Sequence, residues 1–212
     1  MVFKNQSNEP IFLAACKCKP LSLDQRNRNL EDRFQNPIII VDAFNRLISK
    51  HELVDITSTM IAQEAGVSKS TFYRHFDDKY DVMNCNFKEL LDDCVIHSGN
   101  YRDMFLLLFQ RMEAEWKPLL KAFNSTGINS LENYIYTYSK EIALTITKQN
   151  RGGKGMTPEE LFQTDMICLG ISHIYRNWAN GDYTLSPKTA ADLLYSMIPQ
   201  SLKHSWSVDA EH

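Results

Sequence analysis

The chain has 212 residues, of which 43% are hydrophobic and 23% charged, and its formal net charge is −3. This composition is ordinary for a globular protein, and the length suffices for one large domain or for a small domain and a larger one. The negative net charge excludes a protein that binds polyanions over its whole surface, so any nucleic-acid site must be a local basic patch.

Cysteine use and hydropathy indicate the compartment. The five cysteines lie at positions 16, 18, 85, 94 and 168, which is not the pattern of a disulfide framework. Such a set is typical of a reducing environment, and we expect a cytoplasmic protein. No apolar run approaches the roughly 18 residues needed to cross a bilayer, so no membrane partner is expected.

Residues 1–35 are predicted to form an N-terminal extension. Residues 1–21 lack periodicity, whereas Ser22-Leu23-Asp24-Gln25 has the form of a capping box and predicts a short helix over about 23–35. Cys16 and Cys18 could form half of a metal site, but no Cys or His pair with finger spacing follows them. We therefore expect no metal and no cofactor.

The basic residues of this extension allow two interpretations. Arg26, Arg28 and Arg33 could contact phosphates or a minor groove, as basic arms do. Glu31 and Asp32 dilute that charge and favour a solvated helix face.

Residues 36–80 are predicted to form a small three-helix domain. Asn36-Pro37 is a helix start, and an apolar stripe that includes Phe44 follows it as far as about His51. Thr57 is a plausible N-cap for a second helix, which must stop at Gly66 because glycine enters the left-handed conformation without strain. Ser68 then caps a third helix.

The third helix has one apolar and one polar side. Phe72 and Phe76 are four residues apart and can both point inward. Their burial leaves Lys69, Ser70, Tyr73 and Arg74 facing outward, with Thr71 and His75 along the flank. A polar, basic face on a short helix after a glycine turn suits the DNA major groove.

A fourth helix is predicted from Asp78 to about residue 98. Asp78 is a good N-cap, but Lys79 at the first helical position is unfavourable against the helix dipole. A DNA phosphate docked at this helix start would resolve the conflict. We therefore expect Lys79, together with Thr57, Ser68, Thr71 and His75, to hold the DNA backbone.

The segment AGVSKSTFYRHFDDKYDV resembles the DNA-binding signature of the TetR/AcrR family of bacterial transcriptional regulators, and the similarity extends over about residues 37–95. The resemblance implies an all-α homodimer whose N-terminal three-helix domain, with its helix-turn-helix, binds a palindromic double-stranded DNA operator. It also implies a larger C-terminal domain, here residues 81–204 followed by a tail at 205–212, that dimerises and usually holds a ligand.

Helices are predicted over about 101–117 and 129–149, and both are rich in aromatic residues and methionine. Such a set suits a ligand cavity between helices, although an ordinary helical core has the same composition. With the family resemblance, the candidate pocket residues are Phe105, Phe109, Met112, Trp116, Tyr134, Tyr138, Met166 and Tyr175. The chemistry of a small-molecule effector stays open.

Two further helices are predicted at about 158–180 and from residue 187 to Pro199. The glycine-rich stretch 152–155 before them lacks the spacing of a phosphate-binding loop and is predicted to be a linker. Thr157-Pro158-Glu159-Glu160 is a capping box with proline at N1, and the helix that follows is apolar on more than one side. The surplus apolar surface, with the resemblance, predicts a homodimer through residues 158–180 and 187–202.

The sequence supports three kinds of function to different degrees. A DNA-binding regulator, in the family most often a repressor, agrees best with these features. An enzyme is disfavoured because no nucleophile–base set, metal spacing or phosphate loop is found, so no catalytic residue is expected. A DNA-binding adaptor controlled by a protein partner instead of a small molecule remains the alternative.

Overall fold

The computed structural model describes residues 37–98, 100–114, 121–124 and 130–206. Within these ranges the chain is helical, without strands, and the predicted all-α class is confirmed. The helices are α1 (Ile38–Ile48), α2 (Ser58–Glu64), α3 (Lys69–His75), α4 (Lys79–Ile96), α5 (Tyr101–Ala114), α6 (Leu131–Asn150), α7 (Pro158–Ala179), α8 (Pro187–Met197) and α9 (Gln200–Trp206), with a 3-10 turn at Lys121–Asn124.

The first three helices form a small bundle around aromatic and branched side chains. Helix α1 packs against α2 and α4, and α2 packs against α3. Phe44, Ile61 and Phe72 are fully buried where these helices meet. Burial of each such side chain contributes about 1.5–3 kcal/mol, so the two short helices α2 and α3 are held by packing rather than by their own propensity.

Helix α4 connects this bundle to the rest of the molecule. The Asp78 carboxylate accepts hydrogen bonds from the backbone N–H groups of Tyr80 and Asp81, as its predicted N-cap role requires. The side-chain amides of Asn45 on α1 and Asn86 on α4 exchange two hydrogen bonds, of 3.3 and 2.6 Å. Since α4 also packs against α5 and α6, it joins the bundle to the C-terminal helices.

The C-terminal helices pack in pairs. Helix α5 lies against α8, α6 lies against α7, and α9 returns to α6. Salt bridges join both pairs, Arg102 to Asp192 at 2.6 Å and Lys140 to Asp165 at 2.5 Å. Of the helices in the described residues, none combines the length and apolarity that a membrane span requires.

The end of the chain differs from the expectation. The helix predicted to continue to Pro199 stops at Met197, and a separate helix, α9, begins at Gln200. Proline cannot continue a helix but is favourable at a helix start, so Pro199 breaks one helix and begins the next. The predicted extension 1–35, with its short helix, its Arg residues and the Cys16–Cys18 pair, lies outside the described residues.

Candidate nucleic-acid interface

The turn between α2 and α3 is set by local hydrogen bonds. Gly66 has φ +70°, and its N–H donates to Gln63 O while the Val67 N–H donates to Ala62 O. This pair of bonds is a Schellman motif, whose left-handed residue is most often glycine. The side-chain oxygens of Thr57 and Ser68 accept from the N–H groups of Met60 and Thr71 at 3.2 and 3.0 Å, so both predicted N-caps are present.

Helix α3 has the two sides expected from the sequence. Phe72 and Phe76 are 0% exposed, and their ring centroids lie 6.0 Å apart. Tyr73, in contrast, is 56% exposed, and its ring meets Phe72 edge-on at 5.2 Å. The outward residues are Lys69, Ser70, Tyr73 and Arg74, with Thr71 and His75 half-buried on the flank. The buried phenylalanines therefore hold α3 in place, and its outer side exposes hydroxyl groups and positive charges.

His75 differs electrostatically from its neighbours. Burial, and then the adjacent Arg74 charge, hold the pKa of His75 below its ordinary value. Its imidazole is therefore mainly neutral at pH 7 and does not add a fixed positive charge to the face of α3. Its buried Nε2 has no hydrogen-bond partner among the described residues.

Lys79 is placed differently from the expectation that it holds a phosphate. Its ammonium donates hydrogen bonds to the backbone carbonyls of Leu53, Val54 and Ile56, at 2.6, 3.2 and 2.8 Å. The conflict between a lysine at N1 and the helix dipole is thus resolved inside the protein, because the turn between α1 and α2 supplies the negative dipoles. The side chain fixes this turn against α4.

Few cations of the small bundle are available for DNA. Five Lys or Arg residues lie between residues 37 and 80, of which Lys79 is engaged as described. Arg46 forms a 2.6 Å salt bridge with Glu64 and also donates to its carbonyl. The remaining three are Lys50, Lys69 and Arg74, which are exposed. Of these, Lys69 and Arg74 belong to α3, so the free positive charge is concentrated on its outer side.

The predicted pocket residues divide into three groups. Phe105, Phe109, Met112, Tyr138 and Tyr175 are buried, and Tyr134 is half-buried with its ring stacked on Tyr138 at 5.7 Å. Trp116 lies outside the described residues. Met166 does not line the interior but is 59% exposed on α7, because it shares its helix face with Phe162 and Leu169 rather than with the buried residues.

That face of α7 is one of two exposed apolar surfaces near the C-terminus. Phe162, Met166 and Leu169 are each more than half exposed, and on α8 so is Met197, with Leu193 at half. We call these five residues the exposed apolar face. The opposite side of α7 is buried through Cys168, Ile171, Tyr175 and Trp178. The sequence predicted a helix that is apolar on more than one side, and the structure shows that one of these sides is buried and the other exposed.

Sequence reasoning missed one polar cluster in the interior. Lys88 on α4 is 4% exposed and lies 2.5 Å from Asp92, whose carboxylate also accepts from the Tyr138 hydroxyl at 2.5 Å. One turn away on the same side of α4 lie the polar residues Asn84 and Asp92, so the sequence carried no signal that Lys88 is buried. A single lysine in such a pattern is usually read as solvated.

Comparisons with known proteins cover most of the chain. Residues 40–84 match the family described as bacterial regulatory proteins, tetR family, and residues 99–200 match the one described as transcriptional regulator C-terminal region. HTH-type transcriptional regulator SAR2658 of Staphylococcus aureus (strain MRSA252) is 24% identical over 67% of this chain and 80% of its own length. HTH-type transcriptional regulator SAUSA300_2515 of Staphylococcus aureus (strain USA300) is 26% identical over 53% of this chain and 65% of its own.

A solved structure shares the fold. Dihydroxyacetone kinase operon activator DhaS superposes with a TM-score of 0.50 at 17% identity, over 82% of this chain and 96% of that one. The two family matches lie in one chain, with the helix-turn-helix segment at residues 40–84 and the C-terminal region at residues 99–200. The chain belongs to the TetR family of bacterial transcriptional regulators.

Proposed function

We propose that the chain is a homodimeric repressor in the cytoplasm, not an enzyme, that binds a palindromic DNA operator through two copies of α3. In this proposal a ligand in the C-terminal domain lowers the affinity for the operator. The observation that carries the proposal is the exposed side of α3, where two cations and an aromatic ring stand on a helix fixed from behind by two fully buried phenylalanines.

The roles of the residues on α3 follow from their chemistry. Lys69 and Arg74 can donate to guanine O6 and N7 or to phosphate oxygens, and the exposed Tyr73 can contact a thymine methyl group or a phosphate. Ser70 and Thr71 carry hydroxyls that can donate to phosphates. Thr57 accepts from the Met60 N–H through its hydroxyl oxygen, which leaves the hydroxyl able to donate to the DNA backbone. The hydroxyls of Ser68 and Thr71 share a hydrogen bond of 3.0 Å, so one donates to the other and the second can donate to a phosphate.

The homodimer is supported by the exposed apolar face. Its five side chains are large, apolar and at least half exposed, and exposed apolar surface of this kind commonly marks interaction sites. Pairing of α7 and α8 with the same helices of a second copy would bury them in a twofold interface within the residues 158–180 and 187–202. Two α3 helices would then enter successive major grooves.

Ligand control is supported by the arrangement of α4. This helix starts directly after α3 and runs into the C-terminal helices, where the buried aromatic residues lie. A ligand that binds one arrangement of these helices more tightly would shift the separation of the two α3 helices and therefore the operator affinity. The repressor direction is taken from the resemblance to the family.

Selection of bound sequences from a random duplex pool tests the DNA-binding proposal. We expect enrichment of a palindrome whose half-sites are separated by about one helical turn, 10–10.5 base pairs, or slightly more. Recovery of no motif by the wild type at several salt concentrations would contradict it. A promoter carrying the enriched sequence should be less active in cells that make the protein, and an increase in activity would contradict the repressor direction.

A further inference from the structure

Lys88 is a charged side chain in an interior that otherwise holds none. Among the described residues no other Lys, Arg, Asp or Glu is buried, and Lys88 is 4% exposed. Transfer of an ammonium from water to such a place costs several kcal/mol unless charges and hydrogen bonds compensate it. The compensation on the protein side is incomplete.

Among the described residues, a hydrogen bond to Asp92 engages one of the three N–H donors of Lys88. Asp92 Oδ2 lies 2.5 Å from Nζ, and the ring of Tyr138 lies beside the ammonium with its centroid at 5.5 Å. No other oxygen or nitrogen of the described residues is within hydrogen-bond distance. The ammonium therefore keeps the capacity to bind a further acceptor.

The side chain of Asp92 is less enclosed than that of Lys88. Its side chain is 26% exposed, whereas that of Lys88 is 5% exposed. Both lie on α4, four residues apart, so their contact holds no second helix in place. The carboxylate can turn toward solvent at the loss of its hydrogen bond from the Tyr138 hydroxyl, whereas the lysine is enclosed.

A second buried polar group lies further along α4. The hydroxyl of Tyr175 has no hydrogen-bond partner among the described residues, and its side chain is 1% exposed. Burial, and then the nearby Cys94 thiol of α4, raise the pKa of Tyr175, whose ring packs against Phe109 with centroids 5.0 Å apart. Cys94 follows Lys88 by six residues, about 9 Å along the helix axis. A buried hydroxyl without a partner is destabilising, and a ligand group that hydrogen-bonds to it removes that penalty.

We propose that the C-terminal domain binds an organic anion with an apolar body, whose carboxylate or phosphate group pairs with Lys88 in place of Asp92. This inference rests on the proposed ligand control and names the chemical class of the effector. The apolar body lies among the buried aromatic residues beside α4, and a polar group at its far end meets the Tyr175 hydroxyl.

The exchange at Lys88 also gives the ligand a route to α4. In the structure Asp92 links α4 to α6 through the Tyr138 hydroxyl. An anion that takes over Lys88 releases Asp92 and removes this link. The ligand-free and ligand-bound arrangements therefore differ in whether Asp92 of α4 is hydrogen-bonded to α6. Since α4 follows α3 in the chain, this difference can affect the position of α3.

Binding of matched eight-carbon probes tests the site. The anions are 8-hydroxyoctanoate and 8-hydroxyoctyl phosphate, with octane-1,8-diol as the uncharged match, measured by calorimetry on the full chain. We expect an anion to bind at least tenfold more tightly than the diol, and the arm that binds identifies carboxylate or phosphate. Equal or undetectable binding of both anions and the diol would overturn the proposal.

Three variants locate the binding. Lys88→Met should weaken anion binding at least tenfold, whereas Lys140→Met, which breaks the outer salt bridge with Asp165, should leave it unchanged. Asp92→Asn should tighten binding at least threefold, because it removes the internal competitor. An anion affinity of Asp92→Asn below that of the wild type would overturn the proposal. This comparison tests the site even if Lys88→Met does not fold.

Operator binding without any probe tests the proposed function separately. If the anions fail to bind while the operator is bound, the site is refuted and DNA binding stands. If the anions bind through Lys88 while operator affinity is unchanged by them, the site stands and ligand control is refuted.

Discussion

Lys69 and Lys79 each occupy the first position of a helix, yet their ammonium groups have different surroundings. Lys69 is exposed at the start of α3, whereas Lys79 donates to three carbonyls of its own chain. A cation that holds DNA releases counterions when it binds, and one that holds a turn does not. The two lysines should therefore affect different measurements.

Replacement of Lys79 by Met should lower the free energy of unfolding by about 1–3 kcal/mol, because the hydrogen bonds of a charged donor are lost. It should leave the slope of operator affinity against salt unchanged. Lys69→Met should leave the free energy of unfolding unchanged and should make the slope of operator affinity against salt shallower by about one unit per protomer. Urea unfolding and salt titrations by fluorescence anisotropy measure both; a shallower slope for Lys79→Met at unchanged stability would contradict the assignment.

Gly66 provides a second test at a single position. A Cβ at this residue would meet no atom within 4 Å, so a substitution reports on the backbone alone. Gly66→Ala should destabilise the protein by about 1–2 kcal/mol because φ is +70°. Gly66→Asn should cost less, since asparagine tolerates this conformation. Equal urea midpoints for the wild type and the alanine variant would show that the turn is not maintained by this residue.

Residue patterns predicted the geometry of the helix-turn-helix segment better than the interior of the C-terminal helices. The roles of Phe72, Phe76 and Gly66 depend on contacts within a few residues, which spacing reveals. The placement of Met166 and Lys88 depends on which helices lie beside α7 and α4. That information is not local, so the exposure of Met166 and the burial of Lys88 could not be read from periodicity.

At the scale of helices, the helix ends are set by capping residues that can be recognised in the sequence. The Thr157 hydroxyl accepts from the Glu160 N–H while the Glu160 carboxylate accepts from the Thr157 N–H, which completes the predicted capping box of α7. Glu160 also receives two hydrogen bonds from Arg151, at 2.7 and 2.6 Å. These bonds join Arg151 and Glu160 across the stretch 152–155, which the sequence predicts to be a linker.

Lowering the pH should weaken the interaction of Glu160 with Arg151 and Thr157 over a defined range. The hydrogen bonds from Arg151, and then that from the Thr157 backbone, lower the pKa of Glu160 to about 2. Since an unfolded glutamate titrates near about 4.3, the contribution of the carboxylate to stability is complete above that pH and is lost as the pH falls toward 2.

The variant Glu160→Gln lacks this contribution. Its stability should therefore lie below that of the wild type from pH 7 to about 5 and approach it as the pH falls below about 4.3. Glu159→Gln, in the same turn of α7, is the matched control and should show a smaller difference. Urea unfolding at each pH measures both, and a Glu160→Gln difference that grows on acidification would contradict the assignment.

At the scale of the molecule, the exposed apolar face is the feature with the largest consequence. Phe162→Glu places a charge at its most exposed α7 residue, and we expect the dimer to dissociate and the affinity for a two-half-site operator to fall at least tenfold. Gln110→Glu, which adds the same charge on an exposed position of α5, is the control. Sedimentation measures the assembly state, and a Phe162→Glu protein that remains dimeric would place the interface elsewhere.

The central claim is that the outward side of α3 reads DNA. Its most direct test is anisotropy titration of the selected duplex, and of a scrambled duplex, with the wild type and with Tyr73→Ala. We expect Tyr73→Ala to lose about 1–3 kcal/mol of binding free energy on the selected duplex and little on the scrambled one, with Lys148→Ala on α6 unchanged on both. Wild-type affinity for the selected duplex in Tyr73→Ala, and likewise in Lys69→Ala and Arg74→Ala, would contradict the account.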